Sequence, residues 1–327
     1  MELYWNLDDI VSPFEKACVT IGNFDGVHLG HQQLFAEVVN KAGENDGCSV
    51  VVTFDPHPLM VLRPDGILLI STIAQKIEQI DKAGIDHLVI IPFDRSFAST
   101  TAEQFVQDIL IGTIGMTELV VGYDYAFGKG RSGDTEFLKE QGRKSNFPVT
   151  VVEAFYKNDL LVSSTQIRQL VAEGRMIDAR ALLGRPYQIR GVVQVGKKRG
   201  GSEIGYPTAN LKVNEEDLVP RIGVYVVQVI CEVVCYGGVL NIGYNPTFGE
   251  QKLVAETHIF DFNKDIYGKP IKLNLLKFIR DEKKFAGISD LAEQIGRDAA
   301  EAKKILSEIK QELLASCTAD LGISGQG

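Results

Sequence analysis

The stretch "VTIGNFDGVHLGHQQLF", residues 19–35, decides the fold of the first half of the chain. An apolar run that ends in a glycine and continues with a helical pattern predicts a strand, a turn and a helix. Two of the five histidines, His28 and His31, open this helix, and Gly30 lies between them. The free N–H groups and the positive dipole end of a helix start suit a phosphate. A metal site, with no third ligand nearby, and two half-buried surface histidines are the alternatives.

More strands and helices alternate beyond this stretch. The runs "CSVVVTFDPHP", "HLVIIPF" and "ELVVGYDYAFG" read as strands, and "STIAQKIEQIDKAGI" and "TTAEQFVQDILIG" read as capped helices. This pattern predicts an α/β amino-terminal domain, a parallel sheet with helices on both faces, in which ligands bind at the carboxyl ends of the strands. His57, in the loop "DPHP", either stands near such a ligand or belongs to a rigid turn.

The pattern of alternating strands and helices ends near "ALLGRPY", where Gly184 and Pro186 end a helix. Runs rich in β-formers follow with little helix between them, which predicts a mainly β carboxy-terminal domain, an antiparallel barrel. Residues 288–315 return to a helical period and predict a terminal helix. We therefore expect domains at 1–184 and 185–315 and a flexible tail at 316–327.

Composition limits the classes of function. The 327 residues are 45% apolar with a net charge of −9, so neither half offers a basic nucleic-acid surface, and no apolar run reaches membrane-spanning length. The start lacks the pattern of a secretory signal. Five cysteines at irregular spacing favour reduced thiols, and the Cys231/Cys235 pair lacks the further ligands of a metal site. We expect a cytoplasmic protein without nucleic-acid or membrane partners.

A second candidate anion site lies in "LVSSTQIRQLVAEGR". Ser163, Ser164 and Thr165 stand at a predicted helix start whose first turn carries Arg168. Hydroxyl groups, a helix N-terminus and a guanidinium together suit an anion. Taken alone, the segment is more typical of an ordinary helix cap, and together with the histidine pair it favours an anion site.

The order of "GNFDGVHLGH", "TFDPHP", "VGYDYAFGKGRSGD" and "SSTQIR" resembles the amino-terminal module of bacterial bifunctional riboflavin kinase/FAD synthetases. The resemblance spans residues 10–185 and implies a Rossmann-like nucleotidyltransferase domain that transfers the AMP of ATP to FMN and releases pyrophosphate. It implies that His28 and His31 are catalytic. The residues that it implies for binding ATP or flavin are Gly22, Asn23, Asp25, Gly30, Asp124, Ser164, Thr165 and Arg168.

The run "GKKRGGSEIGYPTANL", residues 196–211, is the informative segment of the second half. Its glycines and basic residues suggest a flap over phosphates, and Thr208 and Asn210 then offer the oxygen ligands that suit the Mg²⁺ of Mg-ATP. A glycine-rich hairpin is the alternative, and the spacing of a P-loop is absent. Glu256, in "ETHIFDF", is a carboxylate able to accept a proton from an attacking alcohol, or a solvated surface residue.

"GYPTANL", "GVLNIGYNPTF", "ETHIFDF" and "KFIRDEKKF" resemble, in order and spacing, the riboflavin kinase module of the same family. The resemblance implies that Thr208 and Asn210 bind Mg-ATP, that Glu256 is the base for the ribityl 5′-hydroxyl, that Gly196 lies in the flap and that Arg280 faces the flavin. Many members have an arginine before the PTAN motif where this chain has Ser202 and Glu203.

The two resemblances together imply a cytosolic enzyme that phosphorylates riboflavin to FMN and adenylylates FMN to FAD, each step with Mg-ATP. ATP, riboflavin, FMN and FAD are then its small-molecule partners, and no prosthetic group is needed. One alternative keeps a single module active. Another makes the chain a flavin-binding carrier or regulator without catalysis. Phe24, Tyr123, Phe127, Tyr206 and Phe248 are candidates for stacking on the flavin ring.

Overall fold

The structure is a computed structural model that describes residues 1–194, 206–212, 216–247 and 250–309, without the side chains of 245–247 and 250–252. The chain divides into two compact units, Met1–Gln166 and Ile167–Gly327. Gly196, the rest of the predicted flap, Phe248 and the tail at 316–327 lie outside the described residues.

The first unit alternates strands and helices. Its elements are β1 (Glu2–Tyr4), β2 (Ala17–Ile21), α1 (Leu29–Glu44), β3 (Cys48–Asp55), α2 (Pro58–Leu62), α3 (Ile73–Lys82), β4 (His87–Pro92), α4 (Ala102–Gln104), β5 (Met116–Gly122), α5 (Thr135–Ser145), β6 (Val149–Val152), β7 (Tyr156–Lys157) and β8 (Leu160–Leu161). A π-helical segment, Phe105–Thr113, continues α4, and single 3₁₀ turns occur at Leu7–Asp9, Phe97–Ser99 and Lys129–Arg131.

The main sheet of this unit has six strands in the order β1-β4-β3-β2-β5-β6, and every pairing is parallel. One face packs against α1 and α3, with Phe35 and Ile80 in the core, and the other against the π-helical segment and α5, with Leu110 and Leu138. The prediction of a parallel sheet covered on both faces is therefore confirmed. The chain turns from one half of the sheet to the other between β2 and β5, where a crevice forms in sheets of this kind.

The second unit is mainly β. Helix α6 (Ser164–Ala172) begins at the end of the first unit, and the other elements are α7 (Met176–Leu183), β9 (Tyr187–Gln194), β10 (Ala209–Lys212), β11 (Gly223–Cys231), β12 (Val234–Thr247), β13 (Glu250–Ile259), β14 (Pro270–Arg280) and α8 (Ile288–Glu308). The six strands form a closed antiparallel barrel in the order β10-β13-β12-β11-β14-β9. Barrel and terminal helix are thus confirmed.

The boundary between the compact units differs from the predicted domain boundary at 184/185. The units separate at Gln166/Ile167, because α7 packs against β9 and β14 of the barrel. Helices α6 and α7 therefore cluster mostly with the barrel in space, although their sequence pattern continues that of the first half. The boundary of the folding domains stays a prediction.

The cysteines depart from the expectation of free thiols. Cys18, Cys48 and Cys231 are free, but Cys235 is disulfide-bonded, so the prediction is wrong for Cys235. Nothing in the local alternation of the strand around Cys235 indicates this bond. Within the described ranges, no helix combines the length and the apolar character needed to cross a membrane.

A partly buried ion pair holds α8 on the barrel. Arg280, at the end of β14, donates to both carboxylate oxygens of Asp298, with Nη2 at 2.6 Å from Oδ2, and Gln294 donates to the same carboxylate. The Asp298 side chain is only 5% exposed. Around this pair, apolar side chains of α8 pack on the outer face of the barrel. They are Ala299, Ala302 and Ile305. The pair fixes one place of contact in an otherwise apolar interface.

We predict that Asp298→Ala lowers the free energy of unfolding of the second unit by about 2 kcal/mol, since it leaves the half-buried Arg280 guanidinium without this carboxylate. Arg297→Met, on the same helix, removes only an exposed pair with Glu293 and should cost less than about 0.5 kcal/mol. Native-state hydrogen exchange of the α8 amides measures both effects. Equal protection of α8 in the two variants would contradict the prediction.

Candidate functional site

The first candidate site lies at the carboxyl ends of β2 and β5, the strands between which the sheet changes direction. The loop of residues 22–27 follows β2, and Asp124 follows β5 by two positions. Because these strands pair in parallel, their carboxyl ends meet at one edge. The topology thus brings the predicted residues Gly22, Asn23, Asp25 and Asp124 to the same crevice, where ligands bind in open α/β sheets.

Asp25 anchors the loop of residues 22–27, which we call the cradle loop. Its carboxylate is 2% exposed and accepts from the backbone N–H groups of Ile70 and Ser71, each at 3.1 Å, and from the Ser71 hydroxyl. The Gly26 N–H donates back to the Ser71 hydroxyl at 3.0 Å. The carboxylate is therefore engaged inside the protein, and Asp25 shapes the cradle loop from below.

The backbone of the cradle loop is strained. Phe24 and Val27 have φ values of 47° and 39°, in a region that non-glycine residues rarely adopt. Gly22 makes this possible, because a Cβ there would lie 2.7 Å from the ring of Phe24. Strain of this kind persists where the surroundings force it, and it clusters at ligand-binding loops. Phe24 itself is 3% exposed and packs on Phe35, so its ring is part of the core.

His28 and His31 lie where the cradle loop enters α1. His28 is the N-cap of α1, and its Nδ1 accepts from the His31 backbone N–H at 3.3 Å. An accepting ring nitrogen carries no proton, so the ring proton of His28 sits on Nε2. The two rings stack with centroids 3.5 Å apart. A Cβ at Gly30 would press on the His28 ring at 3.3 Å, so Gly30 permits this arrangement.

The serine segment reaches the cradle loop. The Ser163 hydroxyl caps α6 by accepting from the Gln166 N–H, and the Ser164 hydroxyl donates to the Asp25 carbonyl at 2.9 Å. Thr165 is exposed in the first turn of α6. The structure therefore brings Ser164 to the cradle loop. Arg168 follows one turn later on α6, in the second unit, and its approach to the histidines stays a prediction.

Sequence reasoning missed a residue beneath the cradle loop. Lys76 on α3 is 5% exposed, and its ammonium lies 3.4 Å from the Thr53 hydroxyl, which donates to the Asn23 carbonyl at 3.3 Å. Burial lowers the pKa of Lys76, and the carboxylates of Asp25 and Asp55 act in the opposite direction. A signal was present in the sequence, because Lys76 interrupts the apolar face of α3 formed by Ile73, Ile77 and Ile80.

His57 lies at the carboxyl end of β3. Its Nδ1 accepts from the Leu59 N–H at 3.1 Å, which makes His57 the N-cap of α2, and the side chain is 6% exposed. These contacts favour the rigid-turn interpretation of the "DPHP" loop. A contact between His57 and a ligand stays a prediction.

The second candidate site lies on the barrel, in the other unit. Glu256 of β13 is directly opposite Asn210 of β10 and directly opposite Asn241 of β12. Directly paired residues of antiparallel strands point to the same face, so one carboxylate lies between two amide side chains. Asn241 was not predicted, because this pairing depends on the barrel register.

His258 orders the segment before β10. Its ring Nδ1 lies 2.9 Å from the Pro207 carbonyl, so this nitrogen donates, and its ring contacts the edge of Tyr206. Thr208 follows directly and is half-buried. His258 lies two residues after Glu256 on the same strand and therefore on the same face. It is a further residue at this site that local sequence patterns did not indicate.

Two further predictions concern Arg280 as a flavin-binding residue and a metal ion at the barrel site. The Arg280 guanidinium is engaged by Asp298 and the Asp281 carbonyl, so Arg280 holds α8, and its contact with a flavin stays a prediction. The described portion of the chain contains no cluster of three or more histidine, cysteine, aspartate or glutamate residues able to hold a metal ion. Any ion at the barrel site would therefore depend on hydroxyl and amide oxygens as well as a carboxylate.

Comparisons with known proteins match the two halves of the chain to two different family models. The family model described as FAD synthetase matches residues 11–166, and the model described as riboflavin kinase matches residues 183–306. A bifunctional riboflavin kinase/FMN adenylyltransferase from Bacillus subtilis is 38% identical over 90% of this chain and 94% of its own length. The protein of the same description from Escherichia coli is 35% identical over 91% of this chain and 96% of its own length.

A solved structure extends the similarity to three dimensions. The crystal structure of a protein from Streptococcus pneumoniae, described as a macrolide-efflux protein, is 34% identical. It superposes with a TM-score of 0.84 over 92% of this chain and 98% of that chain. The similarity therefore includes both the parallel-sheet unit and the barrel unit.

We predict that Asp25→Asn lowers the free energy of unfolding of the first unit by about 1.5–3 kcal/mol, because the buried N–H groups lose a charged acceptor. The chain's single tryptophan, Trp5, lies in this unit, so tryptophan fluorescence during urea unfolding measures the change. Asp134→Asn is the matched control, since asparagine caps α5 as well as aspartate does. An equal effect of the two substitutions would be inconsistent with the anchoring role.

Proposed function

The chain belongs to the family of bifunctional riboflavin kinase/FMN adenylyltransferases, and on that premise we propose which residues carry each of its two reactions. The amino-terminal half is an FAD synthetase domain and the carboxy-terminal half a riboflavin kinase domain. The chain therefore converts riboflavin to FMN with ATP and converts FMN to FAD with a second ATP. The match of both domains along one chain is the observation that carries this conclusion.

Adenylyl transfer requires alignment of two anions. An oxygen of the FMN phosphate forms a bond to the α-phosphorus of ATP as the bond to the bridging oxygen breaks, and pyrophosphate leaves. Such a transfer needs positioning and charge stabilisation more than a covalent nucleophile. We assign the crevice above the cradle loop to this step because hydrogen-bond donors from the cradle loop and the start of α1 converge there.

We assign the phosphates of ATP to the N-terminus of α1 and to His28 and His31. The helix start supplies N–H groups and the positive dipole end. The capping bond of His28 places its ring proton on Nε2, and we assign that N–H to a phosphate oxygen. Ser164, bonded to the cradle loop, places the exposed Thr165 hydroxyl at the next position of α6. Arg168 is assigned to the same triphosphate as the charged member of the set.

For the flavin ring of this step we retain two of the predicted aromatic residues. Tyr123 is 44% exposed and follows β5 directly, beside Asp124. Phe127 belongs to a group of rings at the same edge of the sheet and contacts Phe105 and Tyr125. Phe24 is excluded as a stacking partner because its ring is buried in the core.

We assign the phosphorylation of riboflavin to Glu256. The ribityl 5′-hydroxyl attacks the γ-phosphorus of ATP, its proton passes to the carboxylate, and ADP leaves. The opposing amides of Asn210 and Asn241 support this role, since they flank the carboxylate on one face of the barrel. His258 fixes the backbone before Thr208 and so positions the hydroxyl at this site.

The donor set of the barrel site fits Mg²⁺. Thr208, Asn210 and Glu256 offer hydroxyl, amide and carboxylate oxygens, which are the ligands that this hard cation prefers. We propose that Thr208 and Asn210 hold the Mg²⁺ of Mg-ATP. When bound, the ion would supply neutralisation of the phosphate charge.

We further propose a cytoplasmic location, without nucleic-acid or membrane partners. The net charge of −9 supports the absence of a polyanion partner, and the three free cysteines of the described ranges support a reducing compartment. The disulfide at Cys235 is the observation that stands against this location.

Chromatography of the products formed from riboflavin, ATP and Mg²⁺ tests the function of the whole chain. We expect FMN to appear first and FAD to follow. The appearance of FMN alone would support a chain with one vestigial module. Flavin binding without either product would support a non-catalytic carrier and overturn the proposal.

We predict that His28→Asn lowers kcat/KM for FAD formation from FMN and ATP by about 100-fold or more, because it removes one donor to the transition state. Asparagine keeps the N-cap of α1, so the fold is retained, whereas His28→Ala also costs about 1 kcal/mol of stability. Phosphorylation of riboflavin by the same preparation is the internal control. Unchanged FAD formation in His28→Asn would exclude His28 from catalysis.

We predict that Glu256→Gln lowers kcat for riboflavin phosphorylation by about 100-fold or more, because the amide cannot accept the proton. The variant should still adenylylate added FMN. Glu232 lies in the turn between β11 and β12 and forms an exposed ion pair with Lys269. Glu232→Gln is therefore the matched control and should leave both rates unchanged. A full rate of phosphorylation in Glu256→Gln would show that the base is a different group.

A further inference from the structure

We propose that Lys76 is a positioning residue for adenylyl transfer, because its ammonium supports the backbone of the cradle loop through the hydroxyl of Thr53. This inference rests on the proposed use of the cradle loop for ATP. It adds a residue from α3, an element that contributes none of the predicted ATP-binding groups.

The contacts form a chain of donors that ends on the cradle loop. The Lys76 ammonium donates to the Thr53 hydroxyl at 3.4 Å, and that hydroxyl donates to the Asn23 carbonyl at 3.3 Å. Thr53 is fully buried on β3, the strand beside β2. A hydroxyl that accepts from a cation becomes a better donor, so the charge of Lys76 strengthens the bond to the cradle loop.

The burial of Lys76 calls for a compensating role. A lysine that is 5% exposed loses most of its hydration, which disfavours its charged form. The carboxylates of Asp25, in the cradle loop, and Asp55, at the end of β3, favour its charged form. An apolar residue would satisfy the packing of the α3 face without this cost. The position of the charge under the cradle loop is therefore its distinguishing feature.

The strain of the cradle loop gives the support a purpose. Phe24 and Val27 keep unfavourable φ values on either side of Asp25, and such a backbone relaxes unless its surroundings hold it. Asp25 fixes the loop through Ile70 and Ser71, and Thr53 fixes it at Asn23. With the second attachment lost, the N–H groups that face ATP would shift.

Steady-state kinetics of Lys76→Met tests the proposal. We expect kcat/KM for FAD formation to fall about tenfold and KM for ATP to rise, as a misplaced binding group predicts. Phosphorylation of riboflavin by the same molecules should stay within about twofold of wild type. Lys82→Met, on the same helix in a surface pair with Glu78, is the matched control and should leave both activities unchanged.

A double-mutant cycle with Thr53→Val separates positioning from general stability. Thr53→Val removes the hydroxyl at nearly constant volume and should raise KM for ATP in the same way. The double variant should resemble Lys76→Met alone, because both substitutions break one chain of contacts. Thr53→Ser restores the hydroxyl and should recover most of the lost kcat/KM.

Three results would overturn the inference. They are an unchanged KM for ATP in folded Lys76→Met, an equal loss of both activities, and effects of the two substitutions that multiply independently. If tryptophan fluorescence shows that Lys76→Met does not fold, Thr53→Val alone decides by its KM for ATP. A wild-type chain that forms no FAD from FMN and ATP would instead refute the proposed function.

Discussion

The chemistry proposed for the first unit depends on one buried carboxylate. Asp25 is held by backbone N–H groups from the segment before α3, and this attachment keeps a strained loop at the end of β2. The loop in turn delivers the chain to His28 at the angle that lets its ring cap α1. Without this internal acceptor, the N–H groups of Ile70 and Ser71 would be buried without their carboxylate partner, at a cost in stability. Binding geometry and local stability therefore share the same contacts.

The second unit reaches its site by a different physical route. The register of three antiparallel strands places Asn210 and Asn241 on either side of Glu256. The barrel closes on itself, so a shift of one strand would have to be compensated around the whole ring. The position of Glu256, the proposed base, is thus a property of the entire sheet.

The sequence predicted what local pattern determines. The strand, glycine turn and helix around His28 follow from periodicity, as does the change from alternating elements to a barrel. Contacts between distant segments were not predictable in this way. The partner of Arg280, Asp298, lies on α8, and Asn241 comes beside Glu256 only through the strand register. The contact of Lys76 with Thr53 joins α3 to β3, and the sequence of α3 alone does not indicate it. Each of these depends on tertiary pairing that one sequence does not encode locally.

The two sheets also differ in whether their outermost strands have an unpaired edge. The described strands of the barrel form a closed ring, whereas the six-stranded sheet ends at β1 and β6. The unpaired backbone groups of an exposed edge strand can pair with a strand of another molecule, which leads to aggregation. With only three residues in β1 and four in β6, each border offers a short template. Brevity at these borders is a defence against aggregation that the closed barrel does not require.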